Sequence, residues 1–124
     1  MEIKTSELQG AALDWAVGEA QGLAVVASFG TLWRTEFAPS IRWAQGGEII
    51  EREKIGVWWA THYVDDEGQE YGNHWYAETA EGFVGDGSTP LIAAMRCYVA
   101  SKFGDKVNVP EEIQNAFKQN KLEA

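Results

Sequence analysis

Residues 55–64, IGVWWATHYV, carry the clearest periodicity in the chain. Strand side chains alternate with period two, so Val57, Trp59, Thr61 and Tyr63 fall on one face and Trp58, Ala60, His62 and Val64 on the other. The acidic stretch DDEGQEYGN over 65–73 reads as a loop, and residues 74–79 as the antiparallel return. A turn centred on Gly68 sets His62 opposite His74 and gathers Trp58, His62, His74 and Tyr76 on one face.

Working outward, residues 41–55, IRWAQGGEIIEREKI, read as a short turn or helix broken by Gly46-Gly47. Before it, Val25, Ala27 and Phe29 and then Trp33, Thr35 and Phe37 alternate in a hairpin over 23–37, which Ala38-Pro39-Ser40 terminates. After a short extended MEIK, Ser6 with Gln9 forms a possible capping box for a helix that runs to about residue 21, with Trp15 in its core stripe and Gly22 at C′. On the other side of the strand pair, GDGSTPLIAAMR over 85–96 reads as a flexible turn entering a second helix. Ser88 or Thr89 caps it, Pro90 sits at N1, and Gly104 stops it. Its expected apolar stripe is Ile92, Met95, Val99 and Phe103.

The result is an α+β fold in which two principal helices pack on a small antiparallel sheet. A single domain is expected over 1–108, with 109–124 as a short C-terminal helix or frayed tail.

A chain of 124 residues with 45% hydrophobic content can bury one core. Its 19 acidic against 10 basic residues give a net charge of −9, which argues against DNA, RNA or anionic membrane as partners, because such binding needs Lys and Arg to displace counterions. The single Cys97 has no disulfide partner within the chain and fits a reducing cytoplasm. No apolar run reaches the roughly 20 residues of a membrane span, and no h-region opens the chain.

Three constellations carry possible chemistry. The helix start at Ser88 and Thr89 has N–H groups and a dipole that favour an anion, with Arg96 two turns on; ordinary capping explains it equally. Arg42, Trp43, Gln45, Gly46 and Gly47 combine a cation, an aromatic plane, an amide and two glycines, ingredients for holding a flat ring, or for a tight turn. His62 and His74 with nearby acids offer a metal or acid–base reading. No HExxH, paired-cysteine, Walker or GxSxG spacing accompanies them, so catalytic residues, metal and cofactor are all expected to be none.

Set side by side, KTSELQGAALDWAV, WAQGGEIIERE and TPLIAAMRCYVASKFGD resemble the NinX-like family of small bacteriophage and prophage proteins. The resemblance implies a phage accessory gene expressed in the cytoplasm of the bacterial host, and carries no activity with it. By analogy of size with phage proteins that capture signals of host defence, the leading expectation is a homo-oligomeric, non-catalytic protein that sequesters a small anionic nucleotide-like ligand. Arg42, Trp43, Gln45, Gly46, Gly47, Ser88, Thr89 and Arg96 are the expected ligand-binding residues. The alternative is a protein-interaction module that inhibits or redirects a host factor through exposed tryptophans. A small hydrolase or metal enzyme built on His62 and His74 is third.

Overall fold

The computed structural model describes residues 1–22, 37–111 and 113. The hairpin expected over 23–37 lies outside the described residues except for Phe37. The fold is α+β. Its elements are β1 (Glu2–Lys4), α1 (Gly10–Ala20), α2 (Trp43–Glu53), β2 (Gly56–Ala60), β3 (Tyr63–Val64), β4 (Glu70–Tyr71), β5 (His74–Glu78), β6 (Val84–Gly87), α3 (Pro90–Phe103) and β7 (Lys106–Asn108).

The middle of the chain forms the expected antiparallel sheet, in the order β2-β5-β6. Trp58 pairs with Tyr76 and Ala60 with His74, while beyond the β2–β5 ladder Tyr63 pairs with Tyr71 and Val64 with Glu70. Both ladders turn about residue 67, one residue before Gly68, so His74 lies opposite Ala60 and not opposite His62. Moving a turn centre by one residue moves each partner by two, which preserves the face. Trp58 and Tyr76 therefore stay together. The expected single strand over 55–64 is split at Thr61-His62, because Gly72 (φ +95°) and Asn73 (φ +52°) turn the return strand there. A Cβ on Gly72 would collide with the Thr61 carbonyl oxygen, so glycine is required on steric as well as conformational grounds.

β6 was not expected. Val84-Gly85-Asp86-Gly87 is an edge strand, not a flexible turn, and its glycines serve packing. A Cβ on Gly85 would lie 2.5 Å from both the Ala93 carbonyl oxygen and the Cys97 nitrogen, and one on Gly87 would lie 2.6 Å from Ile92 Cγ2. Without side chains at these positions, β6 lies directly on the backbone of α3.

α3 is the centre of the molecule, packed on α1, α2, β5 and β6. Its buried positions are Leu91, Ala93, Ala94, Met95, Cys97, Tyr98 and Val99, which encircle much of the helix. The expected single stripe is thus too narrow: Ile92 is only partly buried and Phe103 is exposed. Leu13 and Val17 of α1 are fully buried against it. Each such aliphatic side chain contributes about 1.5–3 kcal/mol. The expected capping box at Ser6 is replaced by a 3-10 turn over Thr5–Glu7, and α1 starts at Gly10. Thr5 is drawn away into the core, its Oγ1 donating to the Gly104 carbonyl at 2.7 Å and its N–H to Asp105 at 2.9 Å.

α2 runs unbroken through Gly46-Gly47. Gly46 allows the helix to pack closely: a Cβ there would meet the Pro39 carbonyl oxygen and Leu91 Cδ2. β1 and β7 pair antiparallel and close the chain's beginning onto its later part. Val109 and Ile113 are fully buried in the same core as Leu13 and Val99, so the core continues past residue 108.

Candidate functional site

The eight expected binding residues do not form one site. Arg42 is exposed at the position before α2, and Trp43, the first residue of that helix, is 59% exposed. Gln45 turns back on the main chain, accepting the Ala38 N–H at 2.6 Å, and also lines a hollow of about 210 Å³ with Phe37 and Arg52. Gly46 lies against Leu91, so the two expected segments do meet, but through helix packing beneath the surface. Gly47 lies under Trp43, with Cε3 3.8 Å from where its Cβ would be.

At the start of α3, Thr89 acts as the N-cap, its Oγ1 accepting the Ile92 N–H at 3.1 Å, while its carbonyl accepts the Ala93 N–H. Pro90 has no N–H to offer. Ser88 is exposed and does not cap. The groups that would hold an anion at this helix start are thus largely used by the cap itself.

Arg96 leads elsewhere. Its Nε donates to the Leu8 carbonyl at 2.7 Å and its Nη1 to the Asp86 carbonyl at 2.8 Å, tying the segment before α1 to β6. It lines a cleft of about 430 Å³ between β6, α3 and the β1–β7 pair, with Lys4, Ser6, Tyr76, Asp86 and Lys106 among its walls. None of the other seven expected residues lines it. Both of Arg96's bonds go to uncharged carbonyls, and no carboxylate among the described residues forms an ion pair with it. Burial pulls the guanidinium below its ordinary pKa, opposed by the charge of Asp86, yet an arginine stays cationic throughout the physiological range. A partly desolvated positive charge at the wall of an open cleft favours negative charge beside it. Lys4 and Lys106, adjacent across the β1–β7 ladder, add two exposed cations to the same cleft, and Asp105 adds a second carboxylate to that of Asp86.

The strand edge adds a donor. In an antiparallel ladder a residue directs its N–H and C=O to the same side. The Asp86 carbonyl points away from β5, to Arg96, so its N–H points away from β5 as well, along the edge where β6 lines the cleft.

The histidines are not a pair. His62 Nε2 lies 3.3 Å from Glu70 Oε1, and His74 Nε2 lies 3.1 Å from Asp86 Oδ2. Each imidazole has its own carboxylate, and no group of three potential metal ligands gathers among the described residues. Cys97 is buried, its thiol donates to the Phe83 carbonyl, and burial pushes its pKa up to about 11, which keeps it from acting as a thiolate nucleophile near neutrality. No helix among the described residues is long and apolar enough to cross a membrane.

Sequence reasoning singled out Arg96 and did not place Lys4, Lys106, Tyr76 and Asp86 beside it. Lys4 and Lys106 meet only because β1 pairs with β7, and no local pattern announces a pairing across the length of the chain.

The chain matches no curated protein. A family model described as "Bacteriophage P22, NinX" matches residues 4–102, a span that holds Lys4, Tyr76, Asp86 and Arg96 of the cleft and stops short of Lys106. The chain belongs to the NinX family of bacteriophage proteins.

Proposed function

We propose that this NinX-family protein captures a small nucleotide-derived anion, a signal of host anti-phage defence, and holds it unchanged in the cytoplasm of the infected bacterium. The observation that carries the reading is the cleft: Arg96, which hydrogen-bonds main-chain carbonyls, lines it with Lys4 and Lys106, beside the carboxylates of Asp86 and Asp105, in a protein whose net charge is −9. Three cations against these two carboxylates leave the lining with a positive balance, the reverse of the chain as a whole, and this favours a negative ligand. The volume of about 430 Å³ falls in the range of roughly 300–1,000 Å³ usual for small-molecule sites. Non-catalytic capture is favoured by a buried, protonated cysteine, which offers no thiolate nucleophile near neutrality. The expected site built on Trp43 and the Ser88–Thr89 helix start gives way in this proposal to the Arg96 cleft.

Thermal unfolding of the purified protein against mononucleotides, cyclic di- and oligonucleotides and ADP-ribose derivatives tests the reading. A ligand at a hundred times its Kd raises apparent stability by about 2.7 kcal/mol. Recovery of the intact ligand after denaturation is the expected result; recovery of an altered one would make the protein an enzyme.

A second reading, a module that inhibits or redirects a host protein, is favoured by one observation. Trp58, Trp59, Tyr63 and Tyr71, all on the strands of the two hairpin ladders, are between 41% and 55% exposed. Aromatic anchors of this kind dominate protein interfaces. No stabilisation across the nucleotide panel would favour it. Homo-oligomerisation, which would cover some of these rings, is part of the first reading and is read directly by light scattering.

A further inference from the structure

The cleft does not end at its cations. Tyr76 lines it from the outer face of the sheet, where the ring also stacks on Trp58, with centroids 6.2 Å apart and planes at 22°, and meets the edge of His74 at 5.8 Å. The opposite face of the sheet is the one laid on α3, through Ala77, Gly85 and Gly87. Tyr76 therefore belongs to an aromatic row that approaches the cleft from the solvent side. Trp58 stacks on one side of its ring, and on the side toward β6 its cross-strand partner is Asp86, which with Val84 borders the same cleft.

Building on the anion-capture reading above, we propose that the cleft is a two-part nucleotide site in which a nucleobase stacks on Tyr76, backed by Trp58, while the attached phosphate lies against Arg96, Lys4 and Lys106. Three features fit this assignment. The phosphate end sets three cations against the carboxylates of Asp86 and Asp105, and the other end is a flat aromatic surface that any base can use, since every base has a π face. The Asp86 N–H on the strand edge between them supplies a hydrogen-bond donor. His74 is held by its 3.1 Å contact with the Asp86 carboxylate and by its contact with Tyr76, so the ring that receives the base is held in place before the ligand arrives.

Base-on-aromatic stacking is worth about 1–3 kcal/mol per base, which corresponds to roughly 5- to 150-fold in affinity. The experiment is isothermal titration of the full chain with adenosine 5′-monophosphate and, separately, with ribose 5-phosphate, followed by tryptophan fluorescence. Adenosine monophosphate is expected to bind at least fivefold more tightly than ribose 5-phosphate and to change the tryptophan emission of the chain, a change that Trp58→Phe removes, whereas ribose 5-phosphate leaves the emission unchanged. Tyr76→Leu is expected to remove the difference and keep the ribose 5-phosphate affinity; Tyr76→Phe is expected to retain the difference. Equal affinity of the two probes for the unmutated protein would overturn the base subsite and leave the anion reading standing. Binding of neither probe would overturn both. The comparison on the unmutated chain decides the matter even if Tyr76→Leu fails to fold.

Discussion

Gly46 and Gly47 are neighbours inside α2, yet alanine at the two positions is expected to change stability in opposite directions. Alanine is favoured over glycine in a helix interior by about 1 kcal/mol. A Cβ at Gly47 would lie 3.8 Å from Trp43 Cε3, an ordinary contact. Gly47→Ala should therefore keep the whole gain and raise stability by about 1 kcal/mol. At Gly46 the new carbon would be forced into the Pro39 carbonyl oxygen and to within 2.6 Å of Leu91 Cδ2. Leu91 can rotate its terminal methyls. The Pro39 carbonyl cannot yield so easily, because the turn that carries it is held on both sides, by Ala38 N–H to Gln45 and by Ser40 N–H to the buried Asp14. Overpacking of this kind costs about 1–3 kcal/mol, which offsets the gain in propensity and leaves Gly46→Ala less stable by up to about 2 kcal/mol. Urea unfolding followed by far-ultraviolet circular dichroism reads both values, with an unchanged m confirming that the native and unfolded states are comparable. Equal stabilisation by the two variants would refute the packing of α2 on Pro39 and Leu91. A loss of stability in Gly47→Ala would refute the continuity of the helix through the glycine pair.

Three further outcomes follow from the same structure. Gly85→Ala places a Cβ 2.5 Å from two backbone atoms of α3 and should cost more than Gly46→Ala, on the order of 3 kcal/mol, read as a fall in melting temperature of roughly 10 °C. Thr89→Ala should cost about 1 kcal/mol through loss of the cap to Ile92, whereas Ser88→Ala should be near neutral in the same unfolding assay. The Cys97 thiol ionises at about 11 in the folded protein against 9.0 in the unfolded chain, so above pH 9 the unfolded state releases its proton first and stability falls as pH rises toward 11; Cys97→Ala should flatten that part of the pH profile, and the native thiol should resist alkylation at pH 8.

What could be read in the sequence was what rests on neighbouring residues. The alternation over 55–64 located β2 and its pairing with β5, and Thr89-Pro90 with Gly104 bounded α3 at both ends. These signals are local: a strand period, a hydroxyl cap, a proline at N1, a glycine past the last turn. The glycines misled because a residue without a side chain has two uses that look alike in a sequence. At Gly85 and Gly87 they suggested a flexible turn, and at Gly46-Gly47 a break, whereas at Gly46, Gly85 and Gly87 the missing Cβ allows one element to lie directly on another. Only the neighbour across space distinguishes the two. In the sequence Arg96 groups with Ser88 and Thr89 as a binding residue two turns on from the helix start, and in the structure it joins Leu8 to Asp86. Its partners in the cleft come from β1, β5, β6 and β7, and nothing within a window of a few residues connects them.

The acidity of the chain and the cationic cleft act over different distances, and this decides how the proposed capture should respond to salt. The net charge of −9 repels an anion at long range, but at 0.1 M ionic strength such a field is screened over about 10 Å. Inside the cleft the ligand meets Arg96 at contact distance, where two unit charges 4 Å apart interact by about 4 kcal/mol at an effective dielectric constant near 20 and are screened far less. Repulsion therefore acts on the approach and attraction on the bound state. Raising salt from 20 to about 150 mM shortens the Debye length to about 8 Å, so the association rate of a nucleotide should rise while its dissociation rate changes little. A basic protein binding the same ligand would show the reverse, a falling association rate with added salt. Stopped-flow tryptophan fluorescence separates the two rates. An association rate that falls with salt would mean that the ligand approaches under a local positive field, with the cleft's three cations outweighing the acidic surface well outside its mouth.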